Sequence, residues 1–182
     1  MSALEAAAGD AYLTRTLDGV QLIEASAGTG KTWTLATLFT RLIVERRLRM
    51  GDVLAVTYTE AATQELRRRI RERLSLAADL AADATRDGEG DSHEAALTRF
   101  ILDRHLAGGE ETPAQLARRL RIAAEETDLA AIFTIHGFCA RVLREHALEA
   151  GQGFDAGELL GNARELYAEL AADLWRVHAA DA

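Results

Sequence analysis

The residues best suited to do chemistry lie in a glycine-rich segment, Ala25-Ser-Ala-Gly-Thr-Gly-Lys-Thr32. A short apolar run, Val20 to Glu24, precedes it, and a stretch with apolar residues at helical spacing follows. Glycines in such a turn let successive backbone N–H groups point at an anion, and the helix N-terminus adds partial positive charge. The pattern predicts a phosphate-binding loop. Its residues are Ala25, Ser26, Ala27, Gly28, Thr29, Gly30, Lys31 and Thr32.

Two side chains at the end of this loop have predicted roles. Lys31, the only lysine in the chain, can reach the β and γ phosphates of a nucleotide, and the Thr32 hydroxyl can coordinate Mg²⁺. Ala25 stands where the usual pattern has glycine. The alternative is a glycine-rich turn that binds nothing. A phosphate loop by itself leaves the reaction open, because kinases, GTPases and motors share it.

Two further segments place polar and aromatic groups at the ends of predicted strands. Thr57, Tyr58 and Thr59 follow one strand, and a histidine-glycine turn follows another. Because ligands bind at the carboxyl edge of a parallel sheet, these groups are expected to share a surface with the phosphate loop. Hydroxyls can hold a nucleic-acid backbone, and a tyrosine can stack on a base. Spacing alone favours a simpler alternative, in which Thr59 only caps a helix and His136 only satisfies a turn.

Strands that alternate with helices predict an α/β fold with a parallel sheet, because parallel strands need crossover connections. Three strands are predicted, fewer than the usual five or so, and the sheet therefore looks incomplete. Their ranges are Val20–Glu24, Val53–Thr57 and Ala131–Ile135. The helices are predicted from the phosphate loop to Gly51, from Thr59 to a break at 87–92, over 94–106, 113–126 and 138–149, and from Glu158 onward.

Composition excludes several classes of protein. A hydrophobic fraction of 48% with 27% charged residues indicates a globular core, and the net charge of −8 argues against a broad nucleic-acid-coating surface. The single cysteine, Cys139, cannot form an internal disulfide, which fits a reducing cytoplasm. No signal peptide and no membrane-spanning segment is predicted.

Three segments together resemble a known family. IEASAGTGKTWTL, LAVTYTEAATQELRRRI and IFTIHGFCARVLREHA are similar to the first three motifs of superfamily 1 UvrD/Rep-type DNA helicases, in particular RecB-like members. The motifs occur in family order and span residues 20 to about 150. The resemblance implies an incomplete P-loop NTPase (RecA-like) sheet with a helical insert, binding ATP and Mg²⁺ at 25–32. It also implies a face for single-stranded DNA. That face comprises Thr57, Tyr58, Thr59, Thr134, His136 and Gly137.

The same resemblance implies a division of the chain. Residues 1–74 and 128–150 correspond to a partial ATP- and DNA-binding motor domain, 75–127 to a helical insert, and 151–182 to a linker and the start of a following helical subdomain. The chain is thus expected to be the N-terminal part of a RecB-like helicase and exonuclease subunit of double-strand break repair. Implied partners in the full-length parent are RecC- and RecD-like subunits.

Some family features are not found in this sequence. No strand ends in the Asp-Glu pair that holds Mg²⁺ and activates water in the family, and Glu24 and Glu60 lie in the wrong context to replace it. Gln21 is not assigned the family's adenine-reading role. The catalytic set is therefore incomplete, and the chain alone is expected to be inactive. A small P-loop kinase, with Arg118, Arg119 and Arg121 as candidate lid arginines, and a non-catalytic partner-binding piece remain alternatives.

Overall fold

The computed structural model describes residues 11–24, 30–83, 92–149 and 162–179. In those residues the protein is mixed α/β and mostly helical, as the sequence predicts. Two short 3₁₀ turns, Met50–Asp52 and Glu126–Leu129, join the larger elements. The helices and strands in chain order are α1 (Ala11–Thr14), α2 (Lys31–Glu45), β1 (Leu54–Thr57), α3 (Glu60–Ala82), α4 (His93–Leu106), α5 (Pro113–Glu125), β2 (Ala131–Thr134), α6 (Ile135–Glu145) and α7 (Arg164–Ala179).

The chain divides into two compact units, residues 1–138 and 139–182, with the boundary inside α6. In the second unit, α7 is exposed along its whole length, including Leu170, Leu174 and Trp175. The division into a motor domain and a helical insert at residues 74 and 75 stays a prediction, and α3 runs through that position without a break.

The core of the first unit lies between helices. The long helix α3 packs against α2, α4 and α5, and its most extensive contact is with α5. Residues of α3 at helical spacing, among them Ile70, Leu74 and Ala77, are fully buried, and they meet Leu116 and Leu120 of α5. Alanines on the facing surfaces of α3 and α5 let the two backbones approach closely.

The sheet has two strands in the described part of the chain. β1 and β2 pair in parallel, with Leu54 opposite Ala131 and Thr57 opposite Thr134. One side of β1 stays open to solvent, since Leu54 and Val56 are about half exposed. Arg67 of α3 donates a hydrogen bond from Nη2 to the carbonyl oxygen of Ile132 at 3.1 Å, which fixes β2 to the helix.

The predicted strand Val20–Glu24 is wrong, because these residues form an irregular segment. Val20 and Leu22 are exposed, and Gln21 turns back to donate a hydrogen bond to the Thr16 carbonyl oxygen at 2.8 Å. A strand needs a neighbour to satisfy its backbone groups. The expected three-stranded sheet is therefore corrected to two strands among the described residues.

The end of α2 also differs from the prediction. The helix ends at Glu45 rather than at Gly51, and Arg47 takes the left-handed conformation with φ of 56°. Carbonyl oxygens of its last turn are satisfied by a distant side chain, since Arg119 of α5 donates to Ile43 O at 2.5 Å. The helix can therefore end early without unpaired buried carbonyls at Ile43.

Other local predictions are confirmed. Thr59 caps α3, where its hydroxyl accepts the N–H of Ala62 at 3.1 Å. Thr112 and Gln115 form a capping box at the start of α5, with Pro113 as the first helical residue. No described helix is long and apolar enough to cross a bilayer. Within the described ranges, no three histidine, cysteine or acidic side chains form a metal-binding group.

Candidate nucleotide and nucleic-acid site

Five residues of the predicted phosphate loop, 25–29, lie outside the described residues, and the last three are visible. Gly30 has φ of 82° and ψ of 26° and stands at the N-cap of α2, followed by Lys31 and Thr32 in the first turn. Gly30 has no side chain with which to cap this helix. The N-terminal end of the helix and the charge of Lys31 both favour an anion. These residues fit a nucleotide phosphate with Mg²⁺ near Thr32.

The segment before the loop is held by two arginines of the helical core. Arg41 of α2 donates to the carbonyl oxygen of Arg15 at 2.9 Å, and Arg104 of α4 donates to that of Leu13 at 2.7 Å. Both guanidinium groups pair with Glu45 at 2.6 Å. This cluster ties residues 13–15 to α2 and α4. Sequence reasoning missed it, although an arginine at position 41 within the apolar stripe of α2 was a usable signal.

The two threonine segments meet at one edge of the sheet. The register places Thr57 directly opposite Thr134 at the carboxyl ends of β1 and β2. Their hydroxyls already have partners in the protein. Thr57 Oγ1 lies 2.6 Å from Thr63 Oγ1, and Thr134 Oγ1 accepts the N–H of Gly137 at 3.1 Å.

Two side chains at this edge point to solvent. Tyr58 is 88% exposed, and His136 is also exposed. Exposed aromatic and imidazole rings beside polar backbone suit stacking and hydrogen bonding to a single strand. The chemistry available for an external ligand therefore lies in Tyr58 and His136 more than in the threonine hydroxyls.

Close packing, rather than a special backbone angle, favours glycine at position 137. A Cβ at this position would lie 3.1 Å from Thr134 Oγ1, so the hydroxyl would have to move by a few tenths of an ångström. The glycine lets the first turn of α6 close onto the Thr134 hydroxyl, which holds the histidine-glycine turn against the end of β2.

The expected common surface of loop and threonine segments is not seen among the described residues. Trp33, one residue after Thr32, contacts Arg73 with 4.9 Å between the guanidinium carbon and the ring centre. From Thr59 to Arg73 the axis of α3 rises about 21 Å. The first turn of α2 therefore contacts the second half of α3, away from the end that Thr59 caps. A shared surface stays a prediction.

The arginines considered for kinase chemistry have other surroundings. Arg119 pairs with Glu111 at 2.7 Å and caps the end of α2, which is a structural role. This contact and the hydrogen bond from His105 lower the pKa of the Glu111 carboxyl to about 2. Arg118 and Arg121 are exposed on α5. These positions do not form a lid over the start of α2.

Comparison with known proteins identifies the family. The UvrD/REP helicase N-terminal domain matches residues 6–175. The chain is 38% identical over 175 residues to the RecBCD enzyme subunit RecB of Haemophilus influenzae, covering 91% of this chain and 14% of that protein. It is 39% identical to RecB of Escherichia coli, over 89% of this chain and 13% of the relative, and 35% identical to RecB of Mycobacterium tuberculosis, over 84% and 13%.

The chain thus spans about one seventh of the length of these relatives. Its two-stranded parallel sheet and surrounding helices are consistent with a partial P-loop NTPase fold. The match of the family model covers nearly the whole chain, and the three motifs that suggested the resemblance lie inside it. The chain belongs to the UvrD/REP helicase N-terminal domain family.

Proposed function

We propose that this chain is the ATP-binding part of a RecB-like, ATP-dependent DNA helicase and exonuclease subunit acting in double-strand break repair and recombination in the cytoplasm. The observation that carries the proposal is the family match over residues 6–175, which includes the helix start at Gly30. Similarity to RecB subunits supports the more specific assignment.

In this proposal ATP binds at residues 25–32 with Mg²⁺. The N-terminal end of α2 favours the negative charge of the phosphates, Lys31 contacts the β and γ phosphates, and Thr32 supplies a hydroxyl to the metal. When bound, Mg²⁺ neutralises charge on the phosphates during transfer to water. The chain's own contribution is to hold and orient the phosphates.

Single-stranded DNA is proposed to cross the edge formed by the ends of β1 and β2. Tyr58 stacks on a base, and His136 lies beside the path of the strand. The remaining residues of the face shape and hold the edge. They are Thr57, Thr59, Thr134 and Gly137.

The proposed partners follow from the names of the relatives, which are subunits of the RecBCD enzyme. We propose that a longer parent protein assembles with RecC- and RecD-like subunits. The division into a motor domain at 1–74 and 128–150, a helical insert at 75–127 and a following subdomain from 151 belongs to the same proposal.

Calorimetric titration of Mg-ATP into the purified chain tests the nucleotide site. We expect saturable binding by the wild type and its loss, or a weakening of at least about tenfold, in Lys31→Ala, because the ammonium and the loop amides neutralise the phosphates together. Arg68→Ala removes one positive charge from an exposed position on α3 and serves as the matched control. Equal affinities of wild type and Lys31→Ala would remove the assigned role of the loop.

A further inference from the structure

A buried arginine lies between the start of α2 and the start of α4. The Arg73 side chain, on α3, is only 1% exposed. Its guanidinium covers the indole of Trp33 at 4.9 Å and pairs with Glu94 Oε1 at 2.8 Å. It also donates from Nη1 to the hydroxyl of Thr98 at 3.3 Å. One charged group of α3 therefore contacts two other helices, α2 and α4.

The Arg73 guanidinium makes few hydrogen bonds for a buried charged group. In the described part of the chain, Nη2 has no hydrogen-bond acceptor, and Nε is close to Glu94 without being aligned with it as a hydrogen bond. Burial lowers the pKa of Arg73 from its ordinary value, with Glu94 acting in the opposite direction. Unsatisfied buried donors reduce stability, so optimal packing alone does not explain an arginine here.

Trp33 connects this arginine to the nucleotide site. It lies in the first turn of α2, directly after Lys31 and Thr32. Its ring is next to the Arg73 guanidinium and stacks with the imidazole of His93, whose ring centre is 6.2 Å away at an interplanar angle of 15°. Because a helical turn is rigid, the position of the indole fixes the rotation of the turn that carries Lys31 and Thr32.

On its other side, Arg73 is attached to the first two turns of α4. Glu94 is in the first turn, and the Thr98 hydroxyl that accepts from Arg73 donates to the Glu94 carbonyl oxygen at 2.8 Å. The Glu94 side chain is 45% exposed and can leave the guanidinium without being buried unpaired. The ion pair of Glu94 with Arg73 is therefore the part of the α3–α4 contact that nucleotide binding can strengthen or weaken.

We propose that Arg73 is a positioning residue for the nucleotide site, which orients the turn carrying Lys31 and Thr32 through Trp33 and couples that turn to the start of α4 through Glu94 and Thr98. The inference rests on the proposed ATP site and adds a residue outside the phosphate loop. Coupling between sites is reciprocal, so nucleotide binding tightens the start of α4 by the same free energy with which α4 assists nucleotide binding.

Arg73→Leu separates positioning from a purely structural role. The leucine removes two unsatisfied donors and leaves Glu94 partly in water, so we expect the free energy of unfolding to be unchanged or higher. Mg-ATP affinity should nevertheless fall roughly three- to tenfold, since the cation over the Trp33 ring is lost. A structural role alone predicts that stability and affinity change together.

Trp33 emission reports on the contact directly. In a Trp175→Phe background Trp33 is the only tryptophan, and Mg-ATP should change its emission in the Arg73 protein and much less in Arg73→Leu. Hydrogen exchange gives a second readout: Mg-ATP should protect amides of residues 95–98 in the wild type and not in the variant. Arg73→Lys, which keeps the charge without the planar group, should be intermediate.

Glu94→Gln removes the charge that pairs with Arg73 and keeps a hydrogen-bond acceptor, so its free energy of unfolding is measured beside its affinity, and Arg68→Leu on the exposed face of α3 is the matched control. We expect Glu94→Gln to lose the protection at 95–98 and Arg68→Leu to keep it. The role of Arg73 alone would be overturned if Arg73→Leu and Glu94→Gln both keep the wild-type Mg-ATP affinity and the amide protection at 95–98 while Lys31→Ala abolishes binding. Absence of Mg-ATP binding by the wild type would overturn the proposed nucleotide site and this inference together.

Discussion

The start of α2 differs from the starts of the other long helices in the first unit. Helices α3, α4 and α5 each begin with a threonine or serine whose hydroxyl accepts a backbone N–H of the first turn. Helix α2 has Gly30 at its N-cap, a residue with no side chain to serve as a cap. Three starts are thus closed by a hydroxyl of the protein, and the fourth, which we call the open start, has no hydroxyl cap among the described residues. The open start is the one at which we propose that an external anion binds.

The threonine segments illustrate the same distinction. Thr59 belongs to a closed helix start, and Thr57 and Thr134 also bond inside the protein. Only Tyr58 and His136 at this edge are exposed rings. A motif that contacts a ligand therefore contains residues that build the turn and residues that meet the ligand, and spacing along the chain does not tell them apart.

The largest expected effect concerns turnover at the open helix start. The purified chain, saturated with Mg-ATP and single-stranded DNA, should show no DNA-stimulated ATPase and no unwinding, because no strand of this sequence ends in the Asp-Glu pair that activates water in the family, and a positioned general base contributes about 10² to 10⁴ in rate. A phosphate-release assay measures this. Motor-like turnover that disappears in Lys31→Ala would show that a catalytic carboxylate is present in the chain.

Acid should lower the free energy of unfolding through Glu111, at the closed start of α5. Glu111, just before the Thr112 cap, has a pKa held at about 2 by Arg119 and His105, below the ordinary value of 4.5. A lowered pKa stabilises the fold above about pH 4.5, and this contribution is lost as the pH falls towards 2. Urea unfolding at pH 6, 4.5 and 3 should show a smaller decline in Glu111→Gln. The exposed neighbour Glu110, changed to Gln, is the control.

At the sheet edge, Tyr58→Ala should weaken binding of an oligonucleotide by about 1 to 3 kcal/mol through loss of stacking. Thr57 is bonded internally, so Thr57→Ser, which keeps the hydroxyl, should bind DNA as the wild type does. Fluorescence anisotropy measures both. If Tyr58→Ala and the wild type bind the oligonucleotide with the same affinity, Tyr58 does not stack on a base.

Gly30 and Gly51 offer a matched pair of substitutions. Gly30→Ala places a Cβ at φ of 82° and should lower the free energy of unfolding by about 1 to 2 kcal/mol. Gly51 has no positive φ, and a Cβ there would meet no heavy atom within 4 Å, so alanine should be neutral or slightly stabilising. Chemical denaturation compares them, and equal effects would contradict the strain assigned to Gly30.

The smallest expected effect is at the cap of α3. Thr59→Ala removes the acceptor for the Ala62 N–H and should cost about 1 kcal/mol of stability, while Mg-ATP affinity stays unchanged. Thr59→Ser should restore the stability. A loss of nucleotide affinity in Thr59→Ala would mean that the closed and open helix starts are not independent.

Local signals in the sequence determined the helices and their starts. The caps at Thr59 and Thr112, the helical spacing of Ile70 and Leu74, and the turn around Gly30 depend on residues only a few positions apart. The parallel pairing of two strands could also be predicted, because a helical crossover between short apolar runs leaves few alternatives. The resemblance to the family could be recognised from the sequence because each of its motifs is a short local pattern.

Only the tertiary structure decided which groups have partners. The run at 20–24 has the composition of a strand but pairs with no neighbour among the described residues, and Arg119, far along the chain, binds the Ile43 carbonyl where α2 ends early. The burial of Arg73 between Trp33 and Glu94 likewise joins three helices that are distant in sequence. Whether a given apolar run finds a neighbouring strand, where α2 ends and what surrounds Arg73 depend on contacts between residues far apart in the sequence, which local patterns do not report.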